Sequence, residues 1–443
     1  MKYRIYMWFL YNLLFPIGYL LLLPNFLMRM CKRGGYTKHF LQRFGVYAPE
    51  IARRIGEKRR ILVHAVSVGE IYIALKFIEE MKAVDAGASF ILTTTTSTGY
   101  KVAESRLNAA DVLLYFPSDF PNVVRRVMDT LNPLALILAE SELWPNVIRQ
   151  AKIRGIPVIL INGRISGSSF KGYMMARFFV SRVLKLMDLF LVQSETDRKR
   201  LAELGADESK IKVLGTVKYD VAQSDPTGEE KARKLLTSAG IAVNDLIIMG
   251  GSTWPGEETA LLDVFKKLKG SYGSLKLVLV PRHAERGSEV ADDVRRAGLS
   301  FVRRTELGRE ALPAGTHPDV ILVDTTGELK SFYACASVIF VGKSLTRHGG
   351  QNIIEPALYA KPVVIGPNME NFAAVVEDFL AAKAMIQVQD AKGLEESFRS
   401  LLSDTSVRDS YGRRAYEVVR DRRGVARKSA EMALKIIRRE KVA

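Results

Sequence analysis

The stretch HAVSVGE at residues 64–70 puts a carboxylate, Glu70, where the apolar run 61–65 gives way to a helical pattern with Ile71, Ala74, Leu75, Ile78 and Met81 on one face. Two chemistries fit this position. Ser67 and Glu70 have the S-x-x-E spacing of a capping box, in which each side chain satisfies a backbone N–H of the other. A carboxylate at a strand-to-helix turn is also placed to take a proton from a substrate hydroxyl. The stretch by itself favours the cap. Glu140 and Glu142 directly follow a second apolar run, 134–139. Ser141 as a cap, Pro145 in the first turn and Glu142 beside the helix dipole make a structural reading that suits Glu142. That reading leaves Glu140 unexplained, because a carboxylate past a buried strand is costly unless it is paired or faces a cleft.

Later strand ends carry anion-binding residue types. GGSTWPGEE at 250–258 offers glycines and a helix start, where backbone N–H groups can approach an anion. Arg282 and His283 follow the run 275–280, and a guanidinium presents a forked set of donors to phosphate. The sharpest stretch is 342–367, GKSLTRHGGQNIIEPALYAKPVVIGP. Gly349, Gly350, Gln351 and Asn352 would open a helix carrying Glu355, one turn on, where a carboxylate could accept from two ribose hydroxyls. Gly342-Lys343-Ser344 resembles the end of a phosphate-binding P-loop, but Ser337 occupies the place of its first glycine.

Positioning these residues requires parallel α/β units. After about residue 50, short apolar runs alternate with amphipathic stretches. Strands are expected at 61–65, 90–94, 112–115, 134–139, 158–162 and 189–193, then at 246–249, 275–280, 320–323, 338–341, 363–365 and 385–388. The organisation expected is a basic-flanked membrane anchor at 1–45, an N-terminal α/β domain at 46–218, a linker at 219–244 and a C-terminal α/β domain at 245–443 that includes the terminal helices. Two Rossmann-like doubly wound domains facing a cleft follow, with ligands beyond the carboxyl ends of the strands.

Lys and Arg number 65 against 48 Asp and Glu, a net charge of +17 that points to an anionic partner. No recognition helix or RNP-like aromatic strand supports nucleic acid. No G-x-G-x-x-G follows a strand and no D-x-D occurs, and five scattered histidines with two isolated cysteines make no metal spacing. Residues 5–28 contain no charged side chain, long enough to cross a bilayer core of about 30 Å, although Pro16 and Pro24 interrupt them and leave a kinked, re-entrant insertion open. Arg29, Lys32, Arg33, Lys38 and Arg43 outnumber Lys2 and Arg4, which places the body in the cytoplasm.

Taken in order, HAVSVGE (64–70), TTTTSTG (93–99), ESELWPN (140–146), NGRIS (162–166), GTVKYD (215–220), PRH (281–283), DTTGEL (324–329) and HGGQNIIEP (348–356) make the chain resemble the bacterial 3-deoxy-D-manno-octulosonic acid (Kdo) transferases. The resemblance implies a GT-B fold at the cytoplasmic face of the bacterial inner membrane, using neither metal nor cofactor. It implies inverting transfer of Kdo from CMP-Kdo to a lipid A precursor. Glu70 matches the family's proton acceptor, and Glu140 and Lys218 match residues that stabilise the transition state. Arg282 and His283, Thr326, Gly327 and Glu328, and Asn352, Ile353, Ile354 and Glu355 match three contacts to CMP. Ser67, Gly69, Arg164 and Ser166 are candidates for the acceptor side, with the basic and aromatic stretch 168–179 beside them; a core-packed helix is the alternative for that stretch. Lys343 and the Thr346-Arg347 pair depart from the family pattern in the nucleotide loop. Two rival readings remain: another membrane glycosyltransferase of this fold using a UDP-sugar, and a non-catalytic protein that binds anionic lipid.

Overall fold

Among the described residues, fourteen short strands form two seven-stranded sheets in which every neighbouring pair is parallel. The structure is a computed structural model describing residues 2–33, 39–307 and 317–440. It divides into two compact units, residues 1–221 with 424–443, and residues 222–423.

In the first unit the strands are β1 Ile61–His64, β2 Phe90–Thr94, β3 Val112–Tyr115, β4 Ala135–Ala139, β5 Val158–Gly163, β6 Leu189–Val192 and β7 Ile211–Val213, in the order β3-β2-β1-β4-β5-β6-β7. Helices cover both faces, which is why β1, β2 and β4 read as unbroken buried runs rather than alternating ones. The second unit contains β8 Ile247–Thr253, β9 Lys276–Pro281, β10 Phe301–Arg303, β11 Val320–Leu322, β12 Val338–Val341, β13 Val363–Ile365 and β14 Ile386–Gln387, in the order β10-β11-β9-β8-β12-β13-β14. Chain direction across the sheet reverses between β1 and β4 in the first unit and between β8 and β12 in the second. Ligands of open α/β sheets bind at such switch points. β7 and β10 escape the sequence pattern because Lys212 interrupts the one and Arg303 ends the other, leaving no apolar run.

The division differs from the expected domains in two places. The last helix, Val425–Ile437, lies on the helix Val68–Val84 of the first unit, burying Ala430 and Ala433 beside Ile71, Ala74 and Phe77. Asp220 fixes its start by accepting from the N–H groups of Gly424 (2.6 Å) and Ala426 (2.7 Å). The expected linker, polar and read as holding one short helix, does contain a helix, Pro226–Ser238, which packs on Leu329–Tyr333 within the second unit. Polarity and Pro226 marked a surface helix there, not a tether.

The N-terminal helix, Lys2–Arg33, continues through Pro16 and Pro24. One face docks on the first unit. Tyr11 stacks on Phe179 at 5.2 Å and donates its hydroxyl to Asp119 (2.7 Å), Asn12 accepts from the Asn146 amide (2.8 Å), and Phe15 and Tyr19 pack edge-on to Phe120. The other face presents Phe9, Leu10, Leu13, Leu14, Ile17, Leu20 and Leu21, each more than half exposed. Among the described residues, no helix is long and apolar enough to cross a membrane. The anchor expected at 1–45, left open between spanning and re-entrant, therefore has no spanning helix among the described residues, and polar bonds on its inner face hold Lys2–Arg33 against the domain. Arg43, expected in the basic flank, is buried in the first unit with its guanidinium over Tyr115 at 4.4 Å and a bond to the Thr95 carbonyl (2.7 Å). The side chains of Lys2, Arg4, Arg29, Lys32 and Arg33, and Lys38 altogether, lie outside the described residues.

Candidate active site

The capping box forms. Ser67 Oγ accepts from the Glu70 N–H (3.3 Å), and Glu70 returns the bond through Oε1 to the Ser67 N–H (3.3 Å). Glu70 Oε2 also accepts from the Val66 N–H (2.9 Å). Backbone donors therefore hold both oxygens at the mouth of β1, each with lone-pair capacity left. The residue is only 9% exposed. Burial pushes its pKa up, the Val66 and Ser67 hydrogen bonds oppose this, and the Glu140 charge adds to the rise. The helix dipole alone would lower the basicity of a carboxylate at this position; burial outweighs it.

Glu140 directly follows β4, beside β1, with a left-handed backbone (φ 59°). Its N–H donates to the Ile161 carbonyl (3.0 Å), and its Oε1 accepts from the Asn162 side-chain amide (3.4 Å). Lys218 begins a one-turn helix, Lys218–Val221. Burial lowers its pKa, Arg164 pushes the same way, and the Glu140 and Glu70 carboxylates oppose both. Glu70, Glu140, Lys218 and Arg164 thus share one electrostatic neighbourhood at the first unit's switch point.

Glu142 belongs to it too, contrary to the sequence reading. The helix Pro145–Ile153 has no side-chain cap of its own; Asp119 accepts from its Asn146 and Val147 N–H groups, both at 3.0 Å. Glu142 instead accepts from Trp144 Nε1 (2.9 Å). Its pKa is pushed up to about 7 by burial first, then by the Glu70 and Glu140 charges. The signal available in sequence was the unexplained pairing with Glu140. His64 is a packing residue: it stacks on Phe116 at 3.5 Å, and burial takes its pKa down to about 3, so it is neutral.

On the expected acceptor side, Ser67 and Ser166 are helix caps, Ser166 Oγ accepting from the Ser169 N–H (3.1 Å). At Gly69 an added Cβ would meet nothing closer than Ser67 Oγ at 3.9 Å, so internal packing does not demand glycine there. The helix Gly167–Met175 buries no residue, and Met175 (91% exposed) and Phe178 (62%) project from this region. Phe170, Tyr173 and Phe179 nevertheless pack, half-buried, against the first unit's core, so the core-packed alternative for 168–179 holds for one face of the stretch.

In the second unit, Arg282 and His283 are exposed at the end of β9, the His283 ring edge-on to Trp254 at 5.6 Å. Arg282 and Glu355 both act on the buried Tyr333 hydroxyl, which brings two of the three expected CMP contacts together. Thr326 and Gly327 (φ 92°) form an exposed turn. Glu328 is committed elsewhere, accepting from Arg304 (2.8 Å) and from the Thr325 hydroxyl. Asn352 Oδ1 takes the Ile354 N–H (3.0 Å), and Glu355 pairs with Lys330 at 3.2 Å. Ile353 and Ile354 are fully buried, so only their backbone can meet a ligand. The helix there is a single turn, Ile354–Ala357, too short for an appreciable dipole.

The glycine-rich turn also reads differently in three dimensions. Gly250 and Gly251 lie inside β8, where added Cβ atoms would fall 2.6 Å from Leu261 and from the Tyr333 hydroxyl. Packing requires them. Sequence reasoning missed Glu257, which is fully buried and accepts from the N–H groups of Trp254 (2.9 Å), Lys343 (2.8 Å), Ser344 (2.9 Å) and Leu345 (2.9 Å). The donors of the P-loop-like Gly342-Lys343-Ser344 are thereby used internally. Lys343 lies over Trp254 at 4.9 Å.

The family model for 3-deoxy-D-manno-octulosonic-acid transferase (kdotransferase) matches residues 38–221. A 3-deoxy-D-manno-octulosonic acid transferase of Haemophilus influenzae is 30% identical over 96% of this chain and 98% of its own. One of Bordetella pertussis is 32% identical over 79% of this chain and 81% of its own. A glycosyltransferase structure from Rickettsia africae aligns over 86% of this chain and 98% of its own with a TM-score of 0.60 at 14% identity, a likeness of fold. The chain belongs to the 3-deoxy-D-manno-octulosonic acid transferase family.

Proposed function

We propose that this chain is an inverting glycosyltransferase that moves Kdo from CMP-Kdo to a lipid A precursor of the lipid IVA type in lipopolysaccharide core biosynthesis. The observation that carries the reading is Glu70: a fixed carboxylate of raised pKa, among Glu140, Glu142 and Lys218, in a member of this family. Glu70 accepts the proton of the acceptor hydroxyl. That oxygen bonds to the anomeric carbon as the bond from this carbon to the CMP phosphate oxygen breaks, and CMP leaves as a phosphate monoester. One displacement inverts the centre. Burial raises the basicity of Glu70, which suits this step. Glu140 offsets positive charge at the anomeric carbon, and Lys218 takes up negative charge as it develops. Arg282 and His283 take the cytidylate phosphate, and Glu355 the ribose hydroxyls. Bare backbone at Gly69 leaves room for the acceptor, with Arg164 for its anionic groups.

The apolar stripe of the N-terminal helix seats flat in the membrane interface, and net charge adds attraction to anionic lipid. The cytoplasmic face of the bacterial inner membrane is the location that fits. Purified protein given CMP-Kdo and tetra-acylated precursor should release CMP and yield a Kdo-bearing lipid by mass spectrometry, undiminished by chelator. Bound lipid with CMP-Kdo left intact would make the protein a lipid binder. Turnover of a UDP-sugar alone would make it a different transferase.

A further inference from the structure

We infer that Asn162 is a positioning residue that sets Glu140 and Lys218 relative to one another. Asn162 lies near the end of β5, where pairing with β6 shifts register between Leu160 and Gly163. Such irregularities re-aim a side chain. Its backbone is left-handed (φ 51°) and the residue is 1% exposed, a conformation that asparagine, aspartate and glycine tolerate best. Its carbonyl accepts from Gln193 Nε2 (3.0 Å), which pins it to β6. The side-chain amide is used at both ends: Nδ2 donates to Glu140 Oε1 (3.4 Å), and Oδ1 accepts from the Val217 N–H (3.0 Å), one residue before Lys218.

Among residues that fit this backbone, only asparagine does both. Glycine offers neither group. Aspartate keeps the acceptor but sets a second carboxylate against Glu140. A flipped amide would face oxygen to carboxylate and N–H to N–H, so the orientation is specified. One side chain thus joins two loops that carry proposed catalytic groups from strands β4 and β7.

The inference rests on the proposed Kdo transfer, and two variants separate it from that reading. Asn162→Asp keeps size, backbone and the Val217 bond. Its kcat should fall roughly tenfold or more, as small misplacements of reacting groups do, with the KM for CMP-Kdo within about twofold and a cooperative melting transition retained at a lower temperature, because a buried carboxylate now faces Glu140. Asn162→Gly should in addition raise amide exchange at residues 216–219, which Asn162→Asp should leave as in the wild type. Retained kcat in folded Asn162→Asp, a loss confined to KM, or unchanged exchange in Asn162→Gly would overturn the inference. A wild-type protein that transfers no Kdo overturns the function instead, and the exchange result still decides whether Asn162 holds this loop.

Discussion

Glu70 both caps a helix and is the proposed base, and the two roles reinforce each other. Two backbone N–H groups fix the carboxylate and Ser67 Oγ holds the Glu70 N–H, while burial keeps its proton affinity high. Glu70→Gln retains an acceptor for one of the two N–H groups. It should cost about 1 kcal/mol, as a weakened cap does, and lower transfer by ~10²–10⁴. Denaturant melts beside initial rates check this, and a folded variant within tenfold of wild type removes the base assignment. Glu142 carries a prediction on pH. Its pKa rises from 4.5 to about 7 on folding, so between these values the native state binds more protons than the unfolded chain. Stability present at pH 5 should fall as pH rises to 8, and Asp119, raised to about 6, acts in the same direction. Glu142→Gln should flatten that decline, gaining on the order of 1–2 kcal/mol at pH 8 after discounting for partial exposure and little at pH 5. Parallel pH–stability curves for the two proteins would refute the assignment.

At the scale of elements, three carboxylates, Asp119 and Glu257 buried and Asp220 half-buried, do work that sequence-local caps leave undone. Asp119 closes the start of Pro145–Ile153 and holds the N-terminal helix through Tyr11. Asp220 closes Val425–Ile437, and Glu257 gathers four loop N–H groups. Asp119→Ala should cost ~1–3 kcal/mol by stranding two buried donors, and Tyr11→Phe about 1 kcal/mol or less because only one bond is lost. Equal costs in urea melts would contradict this division of roles. Asp220→Ala should loosen the last helix, seen as faster proteolysis within residues 424–440 while the remainder resists.

At the scale of the molecule, the N-terminal helix turns seven large apolar side chains away from the domain it packs on. Leu13→Glu with Ile17→Glu should abolish sedimentation with anionic vesicles yet leave transfer to detergent-dispersed acceptor within a few-fold. Undiminished vesicle binding would deny this helix a membrane role. The net charge of +17 predicts that binding weakens with salt.

The amino-acid order alone determined the α/β class and twelve of the fourteen strands to within a few residues, because uninterrupted apolar runs can be buried only in sheets covered on both faces. It also brought Glu70 and the family motifs into view, since strand ends are where such sheets bind ligands. Tertiary structure alone decided what each polar group is used for. Glu142 reads as a dipole partner until Asp119, 23 positions earlier, is found closing that helix. Gly250 and Gly251 read as an anion loop until Leu261 and Tyr333 fill the space beside them. The last helix reads as part of the second domain until Asp220, 204 positions before Gly424, captures its first turn. Hydrogen bonds and packing between distant segments leave no local period in a sequence, so only the folded chain discloses them.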